Sequence, residues 1–536
     1  MPADPDASSP PNADRGGASV ASLVLTKIVA TLGPASDNVD TLADMIRGGV
    51  RVVRLNFSHG TLDDAARRLD TIRQAVERAG LGVGVLGDLS GPKIRATSNF
   101  PDGPIELATG DQVVISADDA PAVRHPDGHV SLGTTYPQMV QEVGEGHRVL
   151  INDGAIRMLA IDHAPANQAE GLPDRLICNV THGDTLSAKK GINLPDSTIS
   201  APSLTDWDRR CAAWAVEHEL DFLALSFVRK AADIEELIDL LATLGRNNRG
   251  IRTQTRLPIV AKIETPQALH QLPEILQVVD AIMVARGDLG VEMDVAEVPV
   301  IQKRLVREAH AVGRPVIVAT QMLESMIEAP SPTRAEVSDV ANAILDGADA
   351  TMLSGETAVG QFPKLCVETM ARTARLAEQH LAEHGIAPSQ RPAARDPRTG
   401  VGTGVGGKHR LSALARGVAA VVEELDPKYV VVWSQLGGSA RYLAQARFRR
   451  PILAFSTDHL AVRRMALLYG VHPMHMDMPD DPERFLLNVE QIILERHWAE
   501  VGDAIVVVKG APLGSPGVTN KIRIHYLGDV CALPGG

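Results

Sequence analysis

The stretch LPIVAKIETPQALHQLPEILQVVDAIMVARGDLG, residues 257–290, contains one complete unit of the fold. Its first part, Leu257–Ile263, is almost continuously apolar, which is typical of a parallel strand that is covered on both faces. An amphipathic segment follows at Pro266–Val278, and a second apolar run follows at Asp280–Ala285. A strand, a helix and another strand in this order predict a β/α unit of a parallel sheet.

The same unit occurs eight times between residues 24 and 353. The other six apolar runs are Val24–Leu32, Val50–Phe57, Gly82–Leu89, Leu220–Phe227, Arg314–Thr320 and Asp349–Leu353. Helical segments follow most of these runs, and Thr333 to Glu336 has the form of a capping box, which starts a helix by satisfying its free N–H groups. Eight β/α units predict an α/β fold of the (β/α)8 TIM-barrel type.

Four segments lie outside this pattern. More than a hundred residues of short strand-like pieces and Asp-Gly turns separate Leu89 from the helical segment Thr205–Glu217. They predict a small β-barrel domain, residues 92–199, inserted into the catalytic barrel of residues 23–91 and 200–384. Residues 385–409 are rich in Pro, Arg and Gly and predict a linker, and residues 410–536 predict a C-terminal α/β domain. Residues 1–22 predict a disordered arm.

Charge and cysteine content exclude several classes of function. The 536 residues include 53 Lys and Arg against 66 Asp and Glu, a net charge of −13, which disfavours nucleic acid and acidic membranes as partners. The four cysteines form no CxxC pair and no zinc-ligand spacing, so a reducing cytoplasm is expected. Neither a signal peptide nor an apolar run of the roughly 18 residues that a membrane span needs is recognisable.

Polar residues follow six of the predicted strands at their carboxyl ends, where TIM barrels carry their active sites. These groups are Arg54–Gly60, Asp88–Arg95, Lys262–Glu264, Ala285–Asp288, Thr320–Gln321 and Ser354–Thr357. Because all strands of a parallel barrel end at the same mouth, we expect these side chains to converge on one site.

The charged residues among them suggest specific chemistry. Lys262 follows four mostly apolar residues, so its ammonium needs a substrate or a salt bridge to Glu264 or Asp88, and a substrate role is favoured on this face. Glu264 and Asp288 come from neighbouring strands and predict a Mg²⁺ site, with an ion-pair cluster as the alternative. Arg54 can grip a phosphate or form a salt bridge to Asp88.

Weaker signals surround this group. The backbone N–H groups of residues 285–288 lie at a strand-to-helix turn and can bind an anionic carboxylate. The oxygens of Asn56, Ser58 and Asp88 can line a cation site, although such residues also cap turns. His59 is a candidate nucleotide contact or an exposed turn residue.

Seven motifs resemble the pyruvate kinase family in order and spacing. They are TKIVATLGPAS (Thr26–Ser36), RLNFSHG (Arg54–Gly60), GPKIR (Gly91–Arg95), AKIE (Ala261–Glu264), MVARGDLG (Met283–Gly290), VATQMLESM (Val318–Met326) and SPTRAEVSDVANAILDGADATMLSGETAVG (Ser331–Gly360). The resemblance covers about residues 25–527 and implies transfer of phosphate from phosphoenolpyruvate to ADP, giving pyruvate and ATP in glycolysis. It also implies a cytoplasmic homotetramer whose barrel carries a mobile lid and a C-terminal effector domain.

The resemblance implies a role for each motif residue. Substrate binding and catalysis are implied for Arg54, Lys262, Arg286, Gly287, Asp288 and Thr320, the last in a proton relay that needs ordered water. Glu264 and Asp288 are implied to hold Mg²⁺ or Mn²⁺. Nucleotide contacts are implied for Thr31, Pro34, Asn56, His59, Arg95 and Lys190, with Lys190 brought by the closing lid.

Two positions depart from the family pattern. The family's K⁺ site matches Asn56, Ser58, Asp88 and Leu89, but Leu89 stands where many members have Thr and Lys93 where they have Glu. An ammonium there repels and replaces K⁺, so we predict that K⁺ is not required.

In the C-terminal domain, Ser434, Gly437, Gly438 and Ser439 keep the features of a phosphate-binding turn for an effector, but Leu436 replaces a Ser. A phosphorylated effector is therefore implied, and a turn without a ligand is the alternative. Two other functions also remain open: a Mg²⁺-dependent carbon–carbon lyase acting on a pyruvate-like enolate, and a non-catalytic metabolite sensor.

Overall fold

The computed structural model describes residues 24–166, 173–247, 256–385, 407–479, 481–514 and 518–529. The arm predicted at residues 1–22 and most of the predicted linker lie outside these ranges. Within them, the first helix of the C-terminal domain begins at Gly407, which lies inside the segment predicted as linker. None of the described helices combines the length and the apolarity that crossing a membrane requires.

Eight parallel strands form a closed barrel, as predicted. Barrel strands 1 to 8 are Lys27–Thr31, Val50–Asn56, Gly84–Asp88, Phe222–Leu225, Ile259–Ile263, Ala281–Ala285, Val316–Ala319 and Ala350–Leu353. Strand 1 closes the barrel by pairing with strand 8. Each strand lies within its predicted apolar run, because strands that are covered by helices outside and by packed side chains inside need apolar residues on both faces.

Helices surround the barrel. They are Val39–Gly48, Leu62–Ala79, Asp206–Glu217, Ala231–Asn247, Pro266–His270, Leu272–Val278, Arg286–Glu292, Val298–Ala311, Arg334–Asp346, Gly355–Ala358 and Pro363–His384, with a 3₁₀ turn at Glu324–Ile327. The capping box of Thr333 and Glu336 is present as predicted. The single helix predicted at 266–278 was wrong: it is two helices, because Pro273 lacks the N–H needed to continue the first one.

The interior of the barrel is a packed apolar core. It includes Val29, Val52, Leu86, Phe222, Val260, Met283, Ile317 and Met352, all buried. Leu467 of the C-terminal domain joins this cluster and is itself buried. Beside it, Arg463 Nε lies 2.8 Å from Asp221 Oδ1 at the start of barrel strand 4. The C-terminal domain therefore covers the end of the barrel opposite the predicted active-site mouth.

The inserted domain is built on one mixed sheet of seven strands. In spatial order these are Ile192–Asn193, Arg148–Ile151, Ile156–Ala164, Arg175–His182, Gln112–Ser116, Val130–Gly133 and Val123–Arg124. Ile105–Glu106 and Thr185–Leu186 form a separate two-stranded ladder, and Met139–Glu142 is a short helix. Bridges from Arg95 to Gly191 and from Ala96 to Thr134 join the two sides of the sheet, which gives the domain a barrel-like closure.

The C-terminal domain is a five-stranded sheet with helices on both faces. Its strands, in spatial order, are Val471–His475, Ile452–Ser456, Tyr429–Trp433, Ala504–Gly510 and Thr519–Tyr526, of which the last is antiparallel. Its helices are Gly407–Leu425, Gly438–Gln445, His459–Met465 and Pro482–Glu495. No continuous apolar run in the sequence indicates the strand Val471–His475, which contains Pro473 and lies at the edge of the sheet, the place where a strand tolerates proline.

Candidate active site

Four charged side chains contact one another at the carboxyl ends of barrel strands 2, 3 and 5. Arg54 Nε donates to Asp88 Oδ2 at 2.7 Å, and Arg54 Nη2 lies 2.6 Å from the same oxygen. Lys262 Nζ lies 2.7 Å from Glu264 Oε1 and 3.7 Å from Asp88 Oδ1. The predicted convergence of Arg54, Asp88, Lys262 and Glu264 is therefore present, and so are the salt bridges that were the alternative interpretation.

Electrostatics keep this group charged despite burial. Burial raises the pKa of Asp88, but the Lys262 and Arg54 charges outweigh it and hold that pKa below its usual value. Burial lowers the pKa of Lys262, but Asp88 and Glu264 outweigh it and raise that pKa above its usual value. The site therefore holds fixed cations and anions at neutral pH.

The two predicted metal ligands lie in different electrostatic environments. Glu264 is almost fully buried, and its Oε2 accepts from the backbone N–H of Phe227 at 2.6 Å. Burial, followed by the charge of Glu264, raises the pKa of Asp288 to about 6. Among the described residues Asp288 has no hydrogen-bond or ion-pair partner. Two neighbouring carboxylates, of which Glu264 is buried and the half-buried Asp288 lacks a partner, suit a divalent cation, so the residues fit the predicted Mg²⁺ site.

The end of barrel strand 7 has an uncommon backbone. Thr320 and Gln321 both have positive φ, 69° and 53°, which costs about 1–3 kcal/mol for each residue and is frequent at active sites. Thr320 Oγ1 donates to the Ala319 carbonyl at 2.6 Å and accepts from Gly287 N at 2.7 Å. Thr320 and Gly287, predicted to share the substrate site, are thus in direct contact.

The side chain of Arg286 donates a hydrogen bond to this backbone. Its Nη2 donates to the Thr320 carbonyl at 2.7 Å, and its Nη1 lies 2.6 Å from Asp339 Oδ2. The guanidinium is buried beneath the mouth, so only the backbone of Arg286 is available to a substrate.

A cavity of about 320 Å³ lies between the barrel mouth and the inserted domain. The barrel contributes Asp288 and Glu292 to its lining, and the inserted domain contributes Lys93, Arg95, Lys190 and Asn193. The cavity thus brings the predicted metal ligand Asp288 together with two predicted nucleotide contacts, Arg95 and Lys190.

The other predicted nucleotide contacts lie apart from this cavity. Thr31 is buried, and its hydroxyl donates to the Leu353 carbonyl at 3.0 Å and accepts from Arg54 Nη1 at 3.1 Å. Pro34 and His59 are exposed, and neither lines the cavity. Partial burial, followed by Lys93, Arg95 and other cations, lowers the pKa of His59. His59 therefore lies in a positive field that suits a polyphosphate.

The predicted monovalent-cation residues are close together but partly engaged. Asn56 Oδ1 accepts from Ser58 N at 3.0 Å, and the Leu89 carbonyl accepts from Ser226 Oγ at 2.7 Å. Asp88 Oδ1 is buried with no hydrogen-bond partner among the described residues. Lys93 is exposed; desolvation and the Lys262 charge lower its pKa, while Asp288 and Glu264 act in the opposite direction.

In the C-terminal domain the predicted effector turn lines a second cavity, of about 230 Å³. Gly437, with φ of 80°, caps the helix Gly438–Gln445, and Ser434 Oγ accepts from Ala440 N at 3.1 Å. Ser439 Oγ and Thr519 Oγ1 are 2.6 Å apart. Leu436 is exposed at the cavity, and the described residues that line it include no Lys or Arg.

Four residues at or beside the barrel mouth were not predicted from the sequence. Ser226 Oγ accepts from Lys262 Nζ at 2.8 Å, and Phe227, with φ of 53°, directs its N–H at Glu264. Both follow barrel strand 4, and the rule applied to the other strand ends would have found them. Asn193 and Glu292 are hydrogen-bonded to each other across the cavity at 2.8 Å, and no motif marked them.

Comparisons with known proteins agree with this arrangement. The family model "Pyruvate kinase, barrel domain" matches residues 23–367, and "Pyruvate kinase, alpha/beta domain" matches residues 412–525. A pyruvate kinase of Mycobacterium intracellulare is 40% identical over 94% of this chain and 98% of its own, and one of Corynebacterium efficiens is 39% identical over 95% and 99%. The crystal structure of a pyruvate kinase from Cryptosporidium parvum superposes with a TM-score of 0.82 at 30% identity, covering 95% of this chain and 97% of that one.

Proposed function

The chain belongs to the pyruvate kinase family, and from that premise we propose which residues transfer the phosphoryl group from phosphoenolpyruvate to ADP. Family membership makes the protein a phosphotransferase that yields pyruvate and ATP, and it does not favour the lyase or the sensor. The observation that carries the assignment of residues is that Arg54, Lys262, Glu264 and Asp288 converge at one mouth, beneath a lid that carries Lys190.

Arg54 and Lys262 bind the phosphate that is transferred. The contacts of Arg54 with Asp88 and Thr31 use at most three of its five N–H donors, so at least two remain for phosphate oxygens. Lys262 is held by Glu264 and Ser226 and supplies charge against the developing enolate oxygen. Phosphoryl transfer depends mainly on positioning and charge stabilisation, which these fixed cations provide.

Glu264 and Asp288 would hold Mg²⁺ or Mn²⁺. Two carboxylates would leave coordination positions for water and substrate oxygens, as is usual for Mg²⁺ sites beside phosphate. When bound, the metal neutralises phosphate charge. The backbone of Arg286, Gly287 and Asp288 seats the substrate carboxylate at the start of a helix.

Thr320 takes part in delivering a proton to the enolate carbon. Its hydroxyl donates to the Ala319 carbonyl, so the proton reaches the substrate side only after the hydroxyl turns. A hydroxyl is too weak an acid to act alone, and ordered water completes the relay. The nucleotide is held by Arg95 and Lys190 from the lid and by Thr31, Pro34, Asn56 and His59 on the barrel side.

Lys93 replaces K⁺ in this scheme. Among the described residues it forms no ion pair, yet its charge acts on Asp88, Lys262 and Asp288. An ammonium whose charge acts on Asp88 disfavours a second monovalent cation among Asn56, Ser58, Asp88 and Leu89 by Coulomb repulsion.

The C-terminal turn binds a phosphorylated effector through the helix N-terminus and the hydroxyls of Ser434 and Ser439, with Gly437 and Gly438 allowing close approach. The protein is a cytoplasmic homotetramer. The edge strand Thr519–Tyr526 exposes Ile522, Ile524 and Tyr526 on one face, and such an apolar edge suits pairing with a second copy. The three described free cysteines are buried, which suits a reducing compartment.

The decisive experiment measures pyruvate formation from phosphoenolpyruvate, ADP and Mg²⁺, without K⁺ and with K⁺ added. Equal rates in both buffers are expected, and Lys93→Glu should introduce a requirement for K⁺. Lys262→Met should abolish turnover while Mn²⁺ still binds, whereas the exposed control Lys230→Met should retain both. A near-normal rate in Lys262→Met would refute the role of Lys262, and turnover only with K⁺ would refute the role of Lys93.

A further inference from the structure

A hydrogen bond joins the inserted domain directly to the helix that carries Asp288. Asn193 Nδ2 donates to Glu292 Oε1 at 2.8 Å. Asn193 ends the last strand of the inserted domain, Ile192–Asn193, and Glu292 ends the helix Arg286–Glu292 that follows barrel strand 6. Both residues line the cavity between the two domains.

Glu292 is a buried carboxyl in the lining of this cavity. Only 7% of it is exposed, and burial raises the pKa of its carboxyl to about 7, partly offset by the bond from Asn193. A buried carboxyl beside Asp288 and Glu264 is unfavourable when ionised, because it loses contact with water and is repelled by the neighbouring carboxylates. The Asn193 bond therefore accounts for the position of the carboxyl better than packing does.

The helix Arg286–Glu292 connects Glu292 with two predicted active-site residues, Gly287 and Asp288. Glu292 lies four residues after Asp288, about one helical turn, so the two side chains project from the same face. The first turn of the same helix contains Gly287, whose N–H contacts Thr320 Oγ1. The helix has seven residues, about two turns, so a contact at Glu292 lies within two turns of Gly287 and Asp288.

Other contacts between the end of the inserted domain and the barrel involve different parts of the barrel. Gln267 Nε2 donates to the Ser197 carbonyl at 3.4 Å, and Arg229 donates to the Ile199 and Ala201 carbonyls at 2.7 Å. These bonds attach residues 197–201, where the chain passes from the inserted domain back to the barrel, to the segments that follow barrel strands 4 and 5. The bond between Asn193 and Glu292 instead joins the lid strand to the helix of Gly287 and Asp288.

We propose that Glu292 is a positioning residue for phosphoryl transfer, which together with Asn193 couples closure of the inserted domain to the placement of Gly287 and Asp288. Glu292 does not touch the substrate. This inference rests on the proposed function, since it assigns Asp288 to the metal and Gly287 to the substrate carboxylate. The coupling depends on the hydrogen bond between Asn193 and Glu292 and not on the charge of Glu292.

The test compares Glu292→Ala, Asn193→Ala, the double variant and Glu292→Gln. Two quantities are measured: the KM for phosphoenolpyruvate, and the dissociation constant of Mn²⁺ in the presence of phosphoenolpyruvate and in its absence. Loss of a buried hydrogen bond to a charged group predicts a roughly tenfold weakening of both phosphoenolpyruvate and Mn²⁺ binding in each alanine variant. Glu292→Gln keeps an acceptor for Asn193 and should stay within about threefold of the parent.

The double variant should be no weaker than either single one, since both remove the same bond. Thr185→Ala is the matched control, because it removes the hydrogen bond from Thr185 Oγ1 to Glu106 Oε1 elsewhere in the inserted domain and involves no residue of the helix, so its Mn²⁺ binding should be unchanged. Parent-like binding in both alanine variants, additive losses, or a Glu292→Gln as weak as Glu292→Ala would overturn the inference. Absence of turnover in the parent would instead overturn the proposed function.

Discussion

Replacing Lys27 by Met should stabilise the protein strongly at neutral pH. Lys27 begins barrel strand 1, is 1% exposed, and its Nζ has no hydrogen-bond partner among the described residues. Burial, followed by the nearby charge of Arg51, lowers its pKa from 10.5 to about 7, against the opposing effect of Glu378. The folded protein therefore holds this side chain largely uncharged above pH 7, whereas the unfolded chain keeps it protonated.

The magnitude follows from proton linkage. Between pH 7 and 10.5 the unfolded chain binds about one more proton at this position, so the free energy of unfolding rises with pH by about 1.4 kcal/mol per unit. At pH 7.5 the cost of Lys27 is about 4 kcal/mol, and at pH 9.5 it falls to about 1 kcal/mol. Methionine is unbranched and of similar length, so it fills the same space without that cost.

Calorimetric unfolding of the parent, Lys27→Met and the exposed control Lys230→Met at pH 7.5 and 9.5 tests this reasoning. The advantage of Lys27→Met should be large at pH 7.5 and shrink at pH 9.5, while the control should differ by less than about 0.5 kcal/mol at both. Destabilisation by Lys27→Met, or an advantage that does not change with pH, would show that Lys27 is charged and satisfied in the folded protein.

Four further predictions concern the site and the domain contacts. Ser226→Ala removes the acceptor of Lys262 Nζ and should lower kcat/KM for phosphoenolpyruvate roughly tenfold in steady-state kinetics. Asp288→Asn should weaken Mn²⁺ binding at least tenfold by titration, because one of two carboxylates loses its charge. Leu467→Ala opens a cavity beneath the barrel and should cost about 2–5 kcal/mol in denaturant unfolding. Thr333→Ala breaks a capping box and should cost about 1 kcal/mol in the same assay.

The barrel could be predicted from sequence because its strands are apolar on both faces, and this signal needs no knowledge of neighbours. The strand Val471–His475 gave no such signal, since an edge strand is paired and covered on one side only and tolerates Pro473. Pro273 broke a helix that periodicity alone had joined, although proline is visible in the sequence.

The site was predictable where its chemistry lies in side chains at strand ends, as for Arg54 and Lys262. It was not predictable where the chemistry lies in backbone conformation or in contacts between domains. Phe227 binds Glu264 through an N–H that its positive φ directs, and Thr320 reaches Gly287 from a strained backbone. Nothing in the sequence distinguishes Glu292 from the other acidic residues, because its hydrogen bond to Asn193 forms only when the two domains come together in the fold.

The salt bridges at the mouth and the substrate roles are not competing explanations. Buried ion pairs add little stability, because removing the charges from water offsets their attraction, and apolar replacements are often as stable. The pairing is also incomplete: within the part of the chain that the structure describes, Asp88 Oδ1 has no hydrogen bond and lies 3.7 Å from Lys262 Nζ, although the carboxylate is nearly fully buried. A cluster selected for stability alone would satisfy that oxygen. The ion pairs hold Arg54 and Lys262 in position, and Arg54 keeps N–H donors that the ion pairs do not use. Cations arranged in this way suit a site that binds a phosphate.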